Sequence, residues 1–568
     1  WTLVFVVTIK YLVFVLRADN KGEGGILAMM ALARGAEISP RMQHLVLGLG
    51  LFGAALLYGD GMLTPAITVL SAVEGIKIAT PVFAGYVIPI TVCILAVLFL
   101  VQSRGTTKVG IIFGPIILLW FLFIAAIGVA QIIQEPSVLA AFNPMHGLRF
   151  FLENGMQGYL ALGAVFLVAT GAEALYADLG HFSTKPIRLS WFALVAPALL
   201  LNYFGQGALL IRDPLAAANP FFLMIPEWLL IPAVVLATVA ASIASQAVIS
   251  AVYSLTRQAV QLGFLPRSRI VHTSSYEIGQ IYIPSINWML LIASSALVIG
   301  FKTSSDLTSA YGIAISVTMI ITTLLGYFVT HYVWKWSLTA SLAVTGAFLL
   351  ADLAFLGTNL AKVADGGWFP LIMAAVVALI FTTWKKGREL LGALQMEGSV
   401  PLRDFLKMTM DDPGIARVYG TAVFLSGTAG STPSALLHNL KHNKVLHKQN
   451  IFITVITEDI PRIEGERFSI DEIGPEFHQV VVRYGFMEDP DIPEVLASMA
   501  ERGFKFAAPP KTATFILSDN SLVTTQRGRL SPWRLSLFSF LYKNAQRPTQ
   551  FFRLPYNQVI EIGRQLQL

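Results

Sequence analysis

The sequence runs to 568 residues, 55% hydrophobic and only 13% charged, with a mean hydropathy of +0.66. Soluble domains carry about 25% charged residues, so this deficit excludes a surface that faces water throughout and places much of the chain against lipid. In such a chain a net charge of +6 is the Lys/Arg excess of cytoplasmic loops, not a nucleic-acid footprint, and the one cysteine, Cys93, excludes an intrachain disulfide and a thiolate metal site.

Trp1 already lies in an apolar run that continues to Leu16, without the basic start and small-residue cleavage site of a signal peptide. At least one further transmembrane helix is expected ahead of it. A spanning helix needs about 20 mostly apolar residues. Candidate runs fall at 1–16, 44–75, 82–101, 110–133, 158–179, 191–211, 226–262, 285–301, 306–330, 337–357 and 368–384, about eleven helices. The runs 44–75 and 226–262 are long for one crossing and are expected to be tilted, or broken at Gly59–Gly61 and around Ser242–Ser245. Arg17, Lys21, Arg34, Arg41, Arg104, Lys185, Arg188, Arg267 and Lys385 fall in alternate loops, whereas the opposite loops hold only Lys77, Arg149, Arg212, Lys302 and Lys362. That bias predicts a cytoplasmic C-terminal region. The expected division is a transport domain over 1–388 and an appended domain over 389–568. In the latter, strands are predicted at 418–426, 450–457, 478–484 and 513–518 and helices at 434–447 and 491–503, an α/β order.

Two stretches carry the membrane chemistry. In the first, 58–75, Asp60, Thr64 and Thr68 are spaced i, i+4, i+8 and form one oxygen-bearing helix stripe, continued by Ser71 and Glu74. Pro65 and the Gly59/Gly61 pair loosen the backbone and free carbonyls for an ion. A charge inside a bilayer is costly and marks function by default; small and hydroxyl residues also make helix-packing seams, and Glu74 sits near an interface. In the second, 170–181, Thr170 and Glu173 share a face with Tyr176, and Gly171 beside a buried carboxylate suits an unwound segment. Asp178 and His181 fall near the end of that run, as an interfacial cap or loop contact. Ser242, Ser245 and Gln246 read as helix packing, Tyr311–Gly312 as a possible gate, and Asp306 and Asp352 as solvated groups near helix ends. Arg17–Gly25 is a charged, glycine-rich turn or gate loop.

Hydroxyls, carbonyls and one or two carboxylates suit a monovalent hard cation, whereas a transition metal would call for His and Cys clusters. Without a GxxxxGK[ST], HExxH or nucleophile-elbow motif, the chain reads as no enzyme and as driven by an ion gradient or the membrane potential. Each charge gains about 2.3 kcal/mol per 100 mV, roughly 50-fold accumulation, and one added proton brings this to about 4.6 kcal/mol and some 2,000-fold. A desolvated carboxylate carries that proton; Glu173 is the first choice and Asp60 the second. Another cation or amino-acid permease, or a membrane sensor whose tail is the output, remain as alternatives on these residues alone.

The stretches RADNKGEGG (17–25), YGDGMLTPAITVLSAVEG (58–75), GAEALYADLGHF (171–182), IASQAVIS (243–250), SAYGIA (309–314), DGGWFPL (365–371) and HNLKHNKVLH (438–447) resemble the KUP/HAK/KT potassium uptake family, in its bacterial branch, along essentially the whole chain. The resemblance implies an α-helical polytopic membrane protein with a LeuT-like (amino-acid/polyamine/organocation) fold of twelve helices in two inverted repeats, and a C-terminal cytoplasmic α/β domain. It implies potassium:proton symport at the inner membrane by a homodimer, with K+ and H+ as transported ions and no cofactor. By motif match Thr64, Thr68, Thr170, Glu173 and Tyr311 would line the ion site, with Asp60 and Glu74 on acids of the same motif. The family's first helix normally carries a GDIGTSPLY-like segment with a key aspartate; the chain as written has none, so it is expected to lack part of the site and to be inactive alone.

In the C-terminal region His438 and His442 are spaced i, i+4, but Lys441, Lys444 and Lys448 interleave, so a basic solvated face is expected rather than a metal site. The strand over 418–426 runs into Gly427-Thr-Ala-Gly-Ser-Thr-Pro and a helix, whose opening amides suit an anion, a regulatory nucleotide among them.

Overall fold

The computed structural model describes residues 1–104, 107–273, 280–397, 400–410, 412–504, 506–507, 509–523 and 530–567. The chain divides into two compact units, the first of 1–256 and 270–378, the second of 257–269 and 379–568. The division thus falls some ten residues before 388, and the segment 257–269 joins the C-terminal unit.

Among the described residues ten helices are long and apolar enough to cross a membrane. The apolar start of the chain is shorter, a π-type helix at Leu3–Phe14 closed by a 3₁₀ turn at Val15–Arg17. The two long runs are not broken where the sequence suggested. The first is one helix, Pro40–Ala79, opened by Pro40 at its first position and by Ser39, whose side chain accepts from the Met42 amide. Pro65 lies inside it without ending it; lacking an N–H, it leaves the Gly61 carbonyl without its intrahelical donor. The second is one helix, Glu227–Gln261. Ser242 and Ser245 lie within it and donate their hydroxyl protons to the carbonyls four residues back, at 2.8 Å each.

The run predicted at 158–179 does break. Met145–Val165 is kinked at Gly155, passes through a 3₁₀ turn at Phe166–Ala169, and is interrupted at Thr170 (φ −65°, ψ 149°) and Gly171 (φ 86°) before a short helix at Ala172–Ala177. The turn 17–25 packs against the far side of this break. Tyr176 donates to the Ala18 carbonyl at 2.6 Å, and a side chain at Gly24 or Gly180 would collide with the Tyr176 carbonyl or the Glu23 carboxylate.

Burial separates central from peripheral helices. In their most apolar windows Ser304–Val333 is 78% and Pro40–Ala79 61% buried, against 22% for Val82–Arg104 and Ile112–Gln134. The last two present exposed Leu, Ile and Val side chains, as lipid-facing helices do. Where backbones cross closely, glycine makes room: Gly128 lies against the Leu201 carbonyl, and Gly205 against Gly128. A short antiparallel pair, β1 (Val271–His272) and β2 (Ile281–Tyr282), closes one loop of this unit.

The second unit holds a six-stranded sheet of β3 (Ala416–Ser426), β4 (Val445–Glu458), β5 (Phe468–Gly474), β6 (Phe477–Gly485), β7 (Ala513–Val523) and β8 (Val559–Gln567), in the order β5-β6-β4-β3-β7-β8. All neighbours are parallel except β5, which pairs antiparallel at one edge. Helices Ser434–Asn443, Ile492–Glu501 and Pro532–Lys543 make the crossovers. Val423, Ile451, Ile453, Val480, Val482 and Phe515 fill one face against Val495, Leu496 and Met499, all buried. Phe424, Phe452, Phe477 and Ile516 fill the other, against Leu436 and Leu440. Strands buried on both faces read as the continuous apolar runs seen in the sequence. Asp491 caps its helix by accepting from the Glu494 amide at 2.9 Å.

Gly128→Ala would force the helices Thr107–Gln134 and Ala196–Arg212 apart, because the added methyl meets backbone that cannot swing away. The expected loss is about 1–3 kcal/mol, the usual cost of overpacking, read as a lowered thermal midpoint of the purified protein in detergent. An unchanged midpoint would refute the close crossing.

Candidate functional site

The two most buried helices carry the polar groups in pairs. On Pro40–Ala79, Thr64 Oγ1 stands 2.7 Å from Asp60 Oδ1, one turn back, and 3.0 Å from the Tyr311 hydroxyl on Ser304–Phe328. Thr64 has one proton to give. A carboxylate only accepts, so the one hydroxyl proton of Thr64 is shared between Asp60 and the Tyr311 hydroxyl oxygen. Tyr311 in turn faces both Asp60 and Thr170. Helix period brings Asp60 and Thr64 together; the crossing of the two helices adds Tyr311, and the interruption at Thr170–Gly171 adds Thr170. Four residues from three segments thus meet around one place, and all their polar atoms there are oxygens.

The helix break keeps Thr170 in place. Its amide and hydroxyl both return to the Leu167 carbonyl, the hydroxyl at 2.8 Å. Gly171 takes the left-handed conformation that lets the chain resume as a helix in a new direction. Two residues later Glu173, 7% exposed, accepts from Tyr11 on the first helix and from Thr322 Oγ1 at 3.2 Å. Glu173 therefore belongs to a second polar cluster, joined to the first through the Thr170–Glu173 segment and through Ser304–Phe328, which supplies Tyr311 to one and Thr322 to the other.

The remaining sequence candidates fall elsewhere. Thr68 continues the stripe, but its hydroxyl donates to the Thr64 carbonyl at 2.6 Å, bracing its own helix. Ser71 is exposed and does likewise to Thr68. Glu74 lies apart from both clusters: it accepts from the Ser304 amide at 3.3 Å and from the Ser304 hydroxyl, with Lys77 3.7 Å away, and so holds the N-terminus of the Ser304–Phe328 helix. Asp306 is exposed in that same first turn, capped by Thr303. Asp352 corrects the reading of a solvated group. The helix Leu338–Leu360 runs two turns past it, it is 1% exposed, and it pairs with Lys10 at 2.7 Å. Lys10 itself, 1% exposed, was not among the sequence candidates. Its signal was present, a lone lysine in the middle of an otherwise apolar run, but averaged hydropathy conceals it. The side chain of His181 lies outside the described residues.

Residues 1–389 match the sequence profile of the K+ potassium transporter integral membrane domain, and residues 419–568 that of the K+ potassium transporter C-terminal domain. The whole chain aligns with a "Probable potassium transport system protein Kup" of Myxococcus xanthus at 53% identity, covering 87% of that protein. Similar proteins of Geobacter sulfurreducens, at 52% identity and 90% coverage, and of Paramagnetospirillum magneticum, at 51% and 89%, carry the name Kup 1.

The positive φ of Gly171 gives a test of the break that is independent of transport. A Cβ there meets nothing within 4 Å, so Gly171→Ala isolates the backbone cost, about 1–2 kcal/mol for a left-handed non-glycine residue. Thermal unfolding in detergent should register that loss; a neutral Ala variant would contradict the left-handed conformation.

Proposed function

This chain belongs to the K+ potassium transporter family, that of the Kup proteins; it is a potassium transporter and not an enzyme, and we propose that it moves potassium inward by symport with protons. The observation that carries the reading is the convergence of Asp60, Thr64, Tyr311 and Thr170 beside an interrupted helix. An alkali ion trades hydration water for oxygens of moderate field strength. One carboxylate, three hydroxyls and carbonyls freed near Pro65 and at the break provide that set, without nitrogen or sulfur that would favour a transition metal. The proton travels on Glu173, which is buried, accepts from the hydroxyls of Tyr11 and Thr322 and lies near the Lys10–Asp352 pair. Asp60 is the second carrier. Thr68 contributes by bracing the backbone at Thr64, and Glu74 by fixing the start of the helix that bears Tyr311. A twelve-helix LeuT-like arrangement of two inverted repeats suits an ion site built at helix breaks. The Lys/Arg bias of the loops supports an inner-membrane protein with its C-terminal region in the cytoplasm. A homodimer is part of the same reading.

A polar contact to a charged group is worth about 1.5–3 kcal/mol, so removing the charge in Asp60→Asn or the hydroxyl in Thr64→Ala should raise the half-saturating rubidium concentration for uptake by about tenfold or more in cells that lack other potassium uptake. Unchanged half-saturation in both would remove these residues from the ion path. In proteoliposomes, rubidium entry should acidify the lumen, and Glu173→Gln should abolish the acidification. Rubidium entry with no change of internal pH in the unaltered protein would sink the symport.

The C-terminal unit supports a regulatory role. The chain leaves β3 for β4 and β6 on one side of the sheet and returns to β7 on the other. In sheets of this kind ligands bind outside the carboxyl ends of the strands at that reversal. A cavity of about 840 Å³ lies at those ends, between Gly427–Ser434 and Ser518–Leu522, and Arg267, Arg388, Lys543, Arg547 and Arg564 line it against Glu397 and Asp519. Burial, with Arg388 beside it, brings the Arg267 guanidinium down to about 10, as for a cation crowded by its like. An anionic nucleotide matches this lining, its phosphates on the arginines and on the amides that open Ser434–Asn443. Arg267→Ala with Arg564→Ala should weaken nucleotide binding to the whole protein at least about tenfold, by equilibrium binding across a panel of nucleotides. Absence of binding to the unaltered protein at millimolar nucleotide would end this reading.

A further inference from the structure

Lys10 is held as a metal ion would be held. Its ammonium lies 2.7 Å from both oxygens of Asp352 and 3.2 Å from the Met319 carbonyl. Thr323 Oγ1 donates to Asp352 Oδ2 at 2.6 Å and fixes the carboxylate from behind. Lysine and aspartate are each 1% exposed. The cradle comes from two helices, Ser304–Phe328 and Leu338–Leu360, and only the ammonium comes from a third, Leu3–Phe14. Its donors are a carboxylate and a backbone carbonyl, hard oxygens at the distances a large monovalent cation takes. An ammonium is a compact point charge with no acceptor of its own, so it can stand in for such a cation.

The cradle is also coupled to the proposed proton carrier by adjacency in sequence. Lys10 and Tyr11 are consecutive, as are Thr322 and Thr323. Within each pair one residue grips Asp352 and the other Glu173. A buried ion pair is poor value as pure stabilisation, since apolar residues of similar volume serve as well or better. Its retention here, among oxygens suited to an ion, calls for another role.

We propose that Asp352 and the Met319 carbonyl, with Thr323 bracing the carboxylate, form a second monovalent-cation site that Lys10 occupies permanently. The tethered ammonium closes this place to mobile ions. The mobile cation is then the one proposed at Asp60, Thr64 and Tyr311, while Glu173 is held by the hydroxyls of Tyr11 and Thr322. The inference concerns Lys10 and Asp352 and does not depend on the proton coupling.

Vacating the site tests it. Lys10→Ala removes the ammonium and its stem and leaves a buried carboxylate in a space that an alkali ion can enter; Lys10→Met removes the charge but fills the space. The purified variants would be melted in detergent in NaCl, KCl and RbCl, with N-methylglucamine chloride as the cation too large to enter. The expected result is a midpoint for Lys10→Ala that rises by several degrees in at least one alkali chloride over N-methylglucamine. The unaltered protein, Lys10→Met and Lys10→Ala/Asp352→Asn should show no comparable rise. A Lys10→Ala midpoint indifferent to the cation would overturn the proposal, and so would a response that survives Asp352→Asn. If Lys10→Ala folds in none of these salts while Lys10→Met/Asp352→Asn folds, the proposal also fails, because no alkali ion could then replace the ammonium. Transport gives an independent readout: where Lys10→Ala still takes up rubidium, the Hill coefficient should exceed that of the unaltered protein.

Discussion

A charge within an apolar slab has to be answered by protein, because there is no water to answer it. The membrane unit is arranged around that requirement. Asp60 is met by the hydroxyls of Thr64 and Tyr311, Glu173 by those of Tyr11 and Thr322, and Asp352 by Lys10 and Thr323. Apart from Thr64, which shares a helix with Asp60, each answer crosses from one helix to another, so the polar groups hold the bundle in register. The Ser304–Phe328 helix contributes to all three, through Tyr311, Thr322 and Thr323, and its span is the most buried among the described residues.

The backbone meets the same requirement in two ways. Along Pro40–Ala79 the helix stays whole and gives up a single hydrogen bond at Pro65. At Thr170–Gly171 the run predicted at 158–179 is interrupted altogether, and the short helix Ala172–Ala177 that follows is held by Arg17–Gly25 through the Tyr176 hydroxyl on the Ala18 carbonyl. Glycine permits the break: at Gly171 through a conformation other residues reach only with strain, and at Gly24 and Gly180 through the absence of a side chain where chain segments touch.

The C-terminal unit follows different rules. Its core strands are buried on both faces, so apolar residues dominate them, and charge collects at the carboxyl ends of the strands, where the chain reverses direction across the sheet. Five Lys and Arg side chains line the cavity there, whereas the membrane unit gathers carboxylate and hydroxyl oxygens.

Much of this was legible in the sequence. Hydropathy located the spanning helices, and the four apolar strands of the C-terminal unit read directly. β5 and β8 did not, because edge strands such as Phe468–Gly474 and Val559–Gln567 alternate with polar residues and carry little apolar signal. Local spacing sufficed for Asp60 with Thr64, and Gly171 beside Glu173 announced the break, since helix period and glycine chemistry act over a few residues. Only the tertiary structure decided what lies across from them. It brought Tyr311 to Thr64, set Glu74 apart against Ser304, and joined Lys10 to Asp352, 342 residues along the chain. A lone lysine in one helix and a lone aspartate in another each look like a lipid-exposed error or a solvated end. That they answer each other depends on which helices pack together, and no local pattern encodes that.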